Sequence, residues 1–405
     1  MTASSAAALQ AARQIGLRTA VVVTDRVFYG HAFDHLVDEW LVADTSSAAN
    51  VIRALTTLSG AVVAVTSSVD SFVRVAAKVS RAQHLLGPTP DGAGIRRDKS
   101  AARQALAAAG MPDIRWGVQD ATDENLTSPI GYPAVVKPVD GAASWDVVLV
   151  NNDYDARALA ARHLGRTTYG RGVTPCRRLI FEQVLEGPVY SAEGIIDTEG
   201  ITVFGYSDRV MTPPPYYVEL AVRFSAERPF PDADQYVADC LRALGYDFGP
   251  FHLEFVVTPD GPRLLELNPR LVGSGNQYAI SRLTGTAPAA VLVAKLARQA
   301  SPTLQFAGAV TELRLTVNLT GQLVQYQGLD EAVRSPGCHA AGLYVAIGDQ
   351  VSHVVESNSQ LVGYVQAIGL DREDSYRKAA AGAERIKLHI KPSANCRLIP
   401  RHTDH

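Results

Sequence analysis

The sequence predicts a mixed α/β and α+β protein built from three modules, and three observations carry that prediction. β-Branched runs alternate with helical stretches over residues 19–86, as in a parallel sheet with crossover helices. Short apolar runs then dominate from 134 to 267 with few helices between them, as in an α+β unit. From 309 onward the chain is strand-rich again and closes on a helix and an alternating strand. A length of 405 residues suits two or three domains.

Residues 4–16 read as a helix closed by Gly16, because glycine tolerates the left-handed conformation at a helix end. Strands follow at 19–24, 40–43 and 61–66, with helices at 47–58 and 69–86. Such domains usually open on a strand and a glycine-rich turn, whereas this one opens on the helix. Pro88, Pro90, Gly92 and Gly94 punctuate the exit from this module. A helix over 97–109 stops at Gly110, with Pro112 beyond it. Strands at 134–137, 147–150, 179–184, 190–196 and 202–206 flank one helix near 153–163. Three consecutive prolines, 213–215, demand a loop. A helix at 232–245 leads to strands at 251–257 and 263–267, joined by the turn signal Pro259-Asp260-Gly261. Helices at 285–299 and 371–385 come next. The alternation of Arg385, Lys387, His389 and Lys391 with Ile386, Leu388 and Ile390 reads as an edge strand with a charged outer face.

Composition narrows the function. Lys+Arg 38 against Asp+Glu 41 leaves a net charge of −3, which argues against a broad grip on nucleic acid or an anionic membrane. No apolar run approaches the roughly 18–20 residues that a bilayer span needs, and the N-terminus lacks the charged-then-apolar pattern of a secretion signal. Cys176, Cys240, Cys338 and Cys396 form no CxxC pair, so reduced thiols in a cytoplasm fit better than disulfides or a zinc knuckle.

Chemistry concentrates in the hairpin. Its strands carry His252-Leu253-Glu254-Phe255 and Leu265-Glu266-Leu267-Asn268-Pro269-Arg270. Side chains two apart share a strand face, so Glu266, Asn268 and Arg270 point the same way if the strand persists. The turn lies about midway between Glu254 and Glu266, which sets these carboxylates opposite each other. Two carboxylates and an amide oxygen make a hard-oxygen site for Mg²⁺ or Mn²⁺, and without a cation the acids would repel. Lys137 ends an apolar strand and is followed by Asp140-Gly141-Ala142-Ala143-Ser144, a small-residue loop suited to phosphates. Asp98-Lys99 opens a helix, and Glu182-Gln183-Val184-Leu185-Glu186-Gly187-Pro188 runs from a strand into a turn. Tyr216, Tyr217, Glu219 and Arg223 follow the proline loop as candidate pocket residues. His252, His339 and His353 show no metal-ligand spacing.

These four segments, in this order and spacing, resemble the ATP-grasp superfamily. Residues 1–95 look like its preceding Rossmann-like domain and 96–300 like the grasp, with a mobile lid at about 121–187. Residues 301–405 resemble the α+β C-terminal domain of L-amino-acid ligases, through Gly321, Gly328-Leu329-Asp330-Glu331-Ala332, Gly348-Asp349 and Leu361-Val362-Gly363-Tyr364. The resemblance implies an ATP-dependent carboxylate–amine ligase forming an amide through an acyl phosphate, with two Mg²⁺ or Mn²⁺ ions and a homodimeric state. It implies that Lys99 and Lys137 bind phosphates beneath a lid that includes Ser144. Glu182 and the backbone of Val184 and Leu185 would receive adenine, and Glu254, Glu266 and Asn268 the metal. Arg270 would face the transferred phosphoryl group, with Glu219, Arg223, His252, Gly273, Ser274 and Gly275 against the substrate. Two departures stand out. Val189 replaces the acid that many relatives use for the ribose, leaving Glu193 as a substitute. Val222 stands where some ligases carry a histidine three residues after the acid. A biotin-carboxylase-like or purine-type carboxylase is the competing enzyme, although the segment after Arg270, Leu-Val-Gly-Ser-Gly-Asn, lacks the Gln-Val-Glu-His stretch of biotin carboxylases. A nucleotide-binding protein without turnover is the competing class.

Overall fold

A computed structural model describes residues 2–393 apart from 30, 95–97, 142–143, 170–172 and 274. Ser274 and Cys396 therefore lie outside the described residues, as do two alanines of the lid loop. The chain opens on α1 (Ala3–Gln14), started by the Thr2 hydroxyl accepting the Ser5 N–H. Then come β1 (Ala20–Val23), β2 (Glu39–Val42), α2 (Ala48–Leu55), α3 (Asp70–Ala82) and α4 (Pro90–Gly94), with β1 and β2 pairing in parallel. The strand expected at 61–66 does not form. Its residues join no ladder, and a cavity of about 810 Å³ lies between them and β1, lined by Val21, Val22, Val62 and Val65 among others.

The next segment is a helix followed by a small sheet with one crossing helix. It comprises α5 (Lys99–Ala108), β3 (Trp116–Asp120), β4 (Ala134–Pro138), β5 (Val148–Val150), α6 (Asp153–Leu164) and β6 (Arg178–Gln183). The sheet order is β3-β6-β4-β5, antiparallel throughout. Leu126, Val136, Val150, Leu159, Leu179 and Phe181 give this lid a core of its own. Full burial of such side chains contributes roughly 1.5–3 kcal/mol each.

A large antiparallel sheet carries the rest. Its first strands are β7 (Val189–Asp197), β8 (Gly200–Met211) and β9 (Glu219–Ser225), followed by α7 (Ala233–Ala243) and the hairpin β10 (Gly249–Thr258) and β11 (Gly261–Asn268). After α8 (Asn276–Thr284) and α9 (Pro288–Leu296) the chain supplies β12 (Ala309–Leu315), β13 (Gly321–Gln327), α10 (Leu329–Val333), β14 (Cys338–Leu343) and β15 (Gln350–Val351). It ends with β16 (Gly363–Gly369), α11 (Arg372–Ala383) and β17 (Lys387–Pro392). The eight-stranded order is β11-β10-β7-β8-β9-β12-β16-β14, so three strands from beyond residue 300 extend the central sheet without a break. The other three form a small sheet, β15-β13-β17, with β17 on its edge as the charge alternation predicted. Packing of α7 on β7, β10 and β11 through Val237, Leu241, Phe251, Leu253 and Phe255 makes the floor beneath the hairpin rigid. Among the described residues, no helix is long and apolar enough to cross a membrane.

Candidate active site

In the hairpin Glu254 pairs directly with Glu266, and His252 with Asn268, after a bulge between Glu254 and Phe255 shifts the register that the turn sets. Directly opposed like charges destabilise a sheet, and the protein offsets them from both flanks. Lys99 Nζ lies 3.2 Å from Glu266 Oε1. His252 Nε2 lies 2.7 Å from Glu254 Oε1, and Arg209 stands 3.8 Å from the same oxygen. Burial alone would raise the Glu254 carboxyl, but the Arg209 charge and the His252 hydrogen bond outweigh it and hold the group well below the usual carboxylate range. Each of the two glutamate side chains keeps a quarter of its surface exposed, so two ionised carboxylates and the Asn268 amide remain available to a hard cation. Among the described residues no group of three or more His, Cys, Asp or Glu is arranged to hold a metal ion by itself, so the remaining ligands of an ion here would be nucleotide or water oxygens. The donor set fits Mg²⁺ or Mn²⁺, with Glu254, Glu266 and Asn268 as the holders.

Behind Glu254 stands a relay. His252 Nδ1 lies 2.9 Å from Glu193 Oε2, and Glu193 also accepts from Ser191 at 2.6 Å. Burial would lower the imidazole, yet the Glu193 charge and hydrogen bond raise it to about 9. Glu193 is thus spent on orienting His252, with its side chain all but fully buried. That is not the open position a ribose contact needs. His252 in turn orients Glu254 rather than facing open space, and is itself buried.

The polar face continues across the sheet. In a ladder, directly paired residues share a face, which groups Glu254, Ser191, Ser207 and Arg209, then Val222, Glu312 and Gln366. A bulge between Val210 and Met211 returns Glu219 to that face, opposite Met211. Glu219 pairs with Arg209 and, at 3.2 Å, with Arg314. Burial pushes the Glu219 carboxyl up, but these two guanidinium charges hold it down. Glu312, fully buried, accepts from Gln366 Nε2 at 2.7 Å, and Gln366 also donates to Gly275 O at 3.0 Å. Gly275 is required there, since a Cβ would fall 2.1 Å from Glu312 Oε2. Arg223 is the clear correction. It pairs with Thr311 and Asp208, one residue out of phase with Arg209, so it lies on the opposite face. There it donates to Asp208 at 2.6 and 2.8 Å and to Glu373 of α11.

On the lid side, the carboxylate of Glu182 is shared. Lys137 Nζ approaches Oε2 at 2.6 Å, while Arg103 Nη2 and Nε reach Oε1 at 2.9 and 3.0 Å. Both oxygens are therefore occupied inside the protein, so Glu182 is not free to receive adenine as expected, while the backbone at Val184 and Leu185 is half-buried. Burial would raise the Glu182 carboxyl, but Arg103 and Lys137 lower it to about 2. Arg103 also donates to Asp113 and to the Leu264 carbonyl at 2.6 Å, tying α5 to the hairpin. Lys99 Nζ donates to Gly141 O at 2.9 Å and lies against Glu266 of the hairpin, while Lys137 lies against Glu182 of the lid sheet. Ser144 adopts φ +56° in the lid loop. Gly187, at φ +143°, lets the turn after Leu185 press against β10, where a Cβ would lie 2.1 Å from Val257 O.

Arg270 leaves the strand end beside Gly273 and is anchored from the first module: its Nε donates to Asp70 Oδ2 at 2.8 Å. Ser4 Oγ donates to Val272 O at 2.8 Å, so α1 and α3 together hold the segment 270–272. Asp70, Arg103, Arg209, Glu312 and Arg314 were not foreseen from sequence. Only Glu312-Leu313-Arg314 carried a usable signal, two opposite charges on one face of an otherwise apolar strand.

Comparisons with known proteins bear on the fold. Residues 130–277 match the model of the ATP-grasp domain, and 314–391 that of the L-amino acid ligase C-terminal domain 2. An uncharacterized protein, y4rH, of Sinorhizobium fredii (strain NBRC 101917 / NGR234) is 29% identical over 95% of this chain and 80% of its own length. Dapdiamide A synthase of Enterobacter agglomerans is 26% identical over 47% of this chain and 46% of its own. The crystal structure of an L-amino acid ligase from Bacillus licheniformis superposes with a TM-score of 0.78 at 17% identity, covering 95% of each chain.

Proposed function

We propose that this chain, which has the ATP-grasp fold and ends in a domain of the L-amino acid ligase type, joins an amino acid or similar small carboxylate to an amine at the expense of ATP. The observation that carries the reading is the direct opposition of Glu254 and Glu266, with Arg270 beyond Asn268 on the same segment. Joining a carboxylate to an amine in water is uphill, so the carboxylate must first become an acyl phosphate. Phosphoryl transfer asks for positioning and charge neutralisation more than covalent chemistry. A bound divalent cation supplies Lewis-acid neutralisation of the phosphate oxygens. Lys99 and Lys137 hold the phosphates from two sides. Arg270, kept charged and oriented by Asp70, neutralises the transferred phosphoryl group and then the oxyanion formed as the amine attacks, a contribution typically of about 3–4 kcal/mol. The lid excludes water from the acyl phosphate. The alternating acids and guanidiniums of Glu219, Arg314 and Glu312 suit the paired charges of an amino acid.

The test is ADP release with Mg²⁺ over a panel of L-amino acids, singly and in pairs, with mass spectrometry of the products. The reading expects ADP release stimulated by a particular acid and a new mass equal to acid plus amine minus water. Stimulation by bicarbonate alone would point to a carboxylase, and ADP release indifferent to every pair would sink the ligase reading.

A further inference from the structure

The turn around Ser357 touches two parts of the protein that chemistry must coordinate. It is a single compact unit: a 3₁₀ turn, Asn358–Gln360, whose Gln360 Oε1 accepts from the backbone N–H groups of Glu356 and Ser357 at 2.6 and 3.2 Å. From this unit Ser359 Oγ accepts the indole N–H of Trp145 in the lid loop at 3.0 Å. Glu356 accepts from Arg162 of the lid helix α6 at 3.4 Å and from the Tyr216 hydroxyl at 2.6 Å. Between these two residues sits Asn358, and both of its hydrogen bonds go to Glu219. Its Oδ1 accepts the Glu219 N–H at 3.0 Å, and its Nδ2 donates to Glu219 Oε2 at 3.2 Å.

The lid side is equally built. Trp145 is sandwiched by the Arg166 guanidinium, 4.6 Å from its ring centre, and by Tyr169 at 5.7 Å. The buried Asp146 next to it receives Arg162 at 3.1 Å and Arg166 at 3.2 Å, so the loop and α6 move as one piece. The free edge of β5 bridges to the proline loop as well, with Leu149 N–H donating to Pro215 O at 2.9 Å and Val148 bridging Tyr216. The lid is therefore closed onto the module after residue 300, through a turn whose central residue reports the seating of Glu219.

We propose that the segment 356–360 is a latch that makes lid closure and the seating of Glu219 depend on each other. Asn358, Glu356 and Ser359 are positioning residues within it. A rigid turn cannot shift Asn358 without also shifting its neighbours, so a displaced Glu219 withdraws the lid's two anchors. This deepens the ligase reading by giving it a gate: an acyl phosphate is enclosed only when the pocket around Glu219 is assembled, and water is kept from the activated carboxylate.

Hydrogen exchange of the full chain with Mg²⁺ and a non-hydrolysable ATP analogue tests the latch without any knowledge of the substrates. Asn358→Ala is the decisive variant, because its hydrogen bonds reach Glu219 and not the lid. The latch expects lid peptides spanning 144–164 to exchange at least about tenfold faster than in wild type. Ser359→Ala combined with Glu356→Gln should in turn deprotect 216–222, while peptides of the α7 core keep their wild-type rates as a check on folding. Lid exchange in Asn358→Ala within twofold of wild type would overturn the proposal, as would an unchanged 216–222 segment in the double variant. Failure of the ligase reading is a separate result, since it is decided by product formation in the wild-type protein.

Discussion

Glu182 is the carboxylate on which the lid lysine and the hairpin both rest, and its removal has a size that can be worked from the structure. Its carboxyl is lowered from 4.5 to about 2 by Arg103 and Lys137, against a burial penalty acting the other way. A depression of that size corresponds to roughly 3 kcal/mol of stability at neutral pH. Replacing Glu182 with Gln keeps the shape but leaves Arg103, almost wholly buried, and Lys137 without their shared anion, so a loss of about 3–5 kcal/mol is expected. Urea unfolding at pH 7 reads this directly as a lower midpoint at unchanged slope. The pH dependence carries the sign. A depressed folded-state carboxyl stabilises fully above the unfolded value of 4.5 and loses that contribution as pH falls toward 2. The gap between wild type and Glu182→Gln should therefore narrow as pH is lowered from 4.5 toward 3. A loss under 1 kcal/mol at pH 7, or a gap that widens on acidification, would refute the shared-anion argument.

Three further expectations follow from the same geometry. Glu266→Ala removes one of the two opposed carboxylates proposed to hold the metal, so the Mg²⁺ concentration for half-maximal ADP release should rise at least about tenfold, and an unchanged Mg²⁺ titration would remove this acid from the metal site. Asp70→Asn keeps a hydrogen-bond acceptor for Arg270 but not its charge. Its kcat should fall about ten- to a hundredfold with little change in ATP KM, less than the roughly 10²–10³-fold loss expected of Arg270→Ala; equal losses in both variants would argue that Asp70 does more than orient. Gly275→Ala drives a methyl against the buried Glu312 carboxylate, and denaturant unfolding should show a cost of about 1–3 kcal/mol.

The hairpin was legible because the turn signal Pro259-Asp260-Gly261 lies midway between Glu254 and Glu266. The register of the turn itself would set Glu254 against Leu265, and a bulge between Glu254 and Phe255, which the sequence did not announce, brings the two acids opposite each other. Lys99 and Lys137 were singled out by their order in the chain; the structure brings Lys99 against Glu266 of the hairpin and Lys137 against Glu182 of the lid sheet. Residues whose partners are far away in sequence were not. Asp70 meets Arg270 across 200 positions, and Arg209 meets Glu219 and Glu254 only because β8, β9 and β10 share one sheet. Arg223 shows how a strand misleads when its parity is unknown. It looked like a neighbour of Glu219, but the strand β9 and the bulge at Val210 decide which alternate residues face the site, and residue 223 faces α11 instead. Residues 61–66 had the composition of a strand and lack a neighbour to pair with, and no propensity can supply the missing ladder. Glu182 and Glu193 were located well but given outward tasks. Their burial between cations is a property of packing that a linear reading does not contain.

The sheet that runs on past residue 300 has a consequence for anyone who wishes to re-engineer this scaffold. Because β12 pairs with β9 from Ala221 to Ser225, severing the chain between α9 and β12 would expose a row of bare amide and carbonyl groups beside Phe224 and Val310. Chimeras that borrow the tail of another ligase at that junction must reproduce the β9–β12 ladder residue for residue, or they will assemble through the open border into aggregates. A safer exchange point is the lid, whose apolar interior is self-contained and whose attachments are a few side chains, the short backbone bridge of β5 to the proline loop, and two short connections.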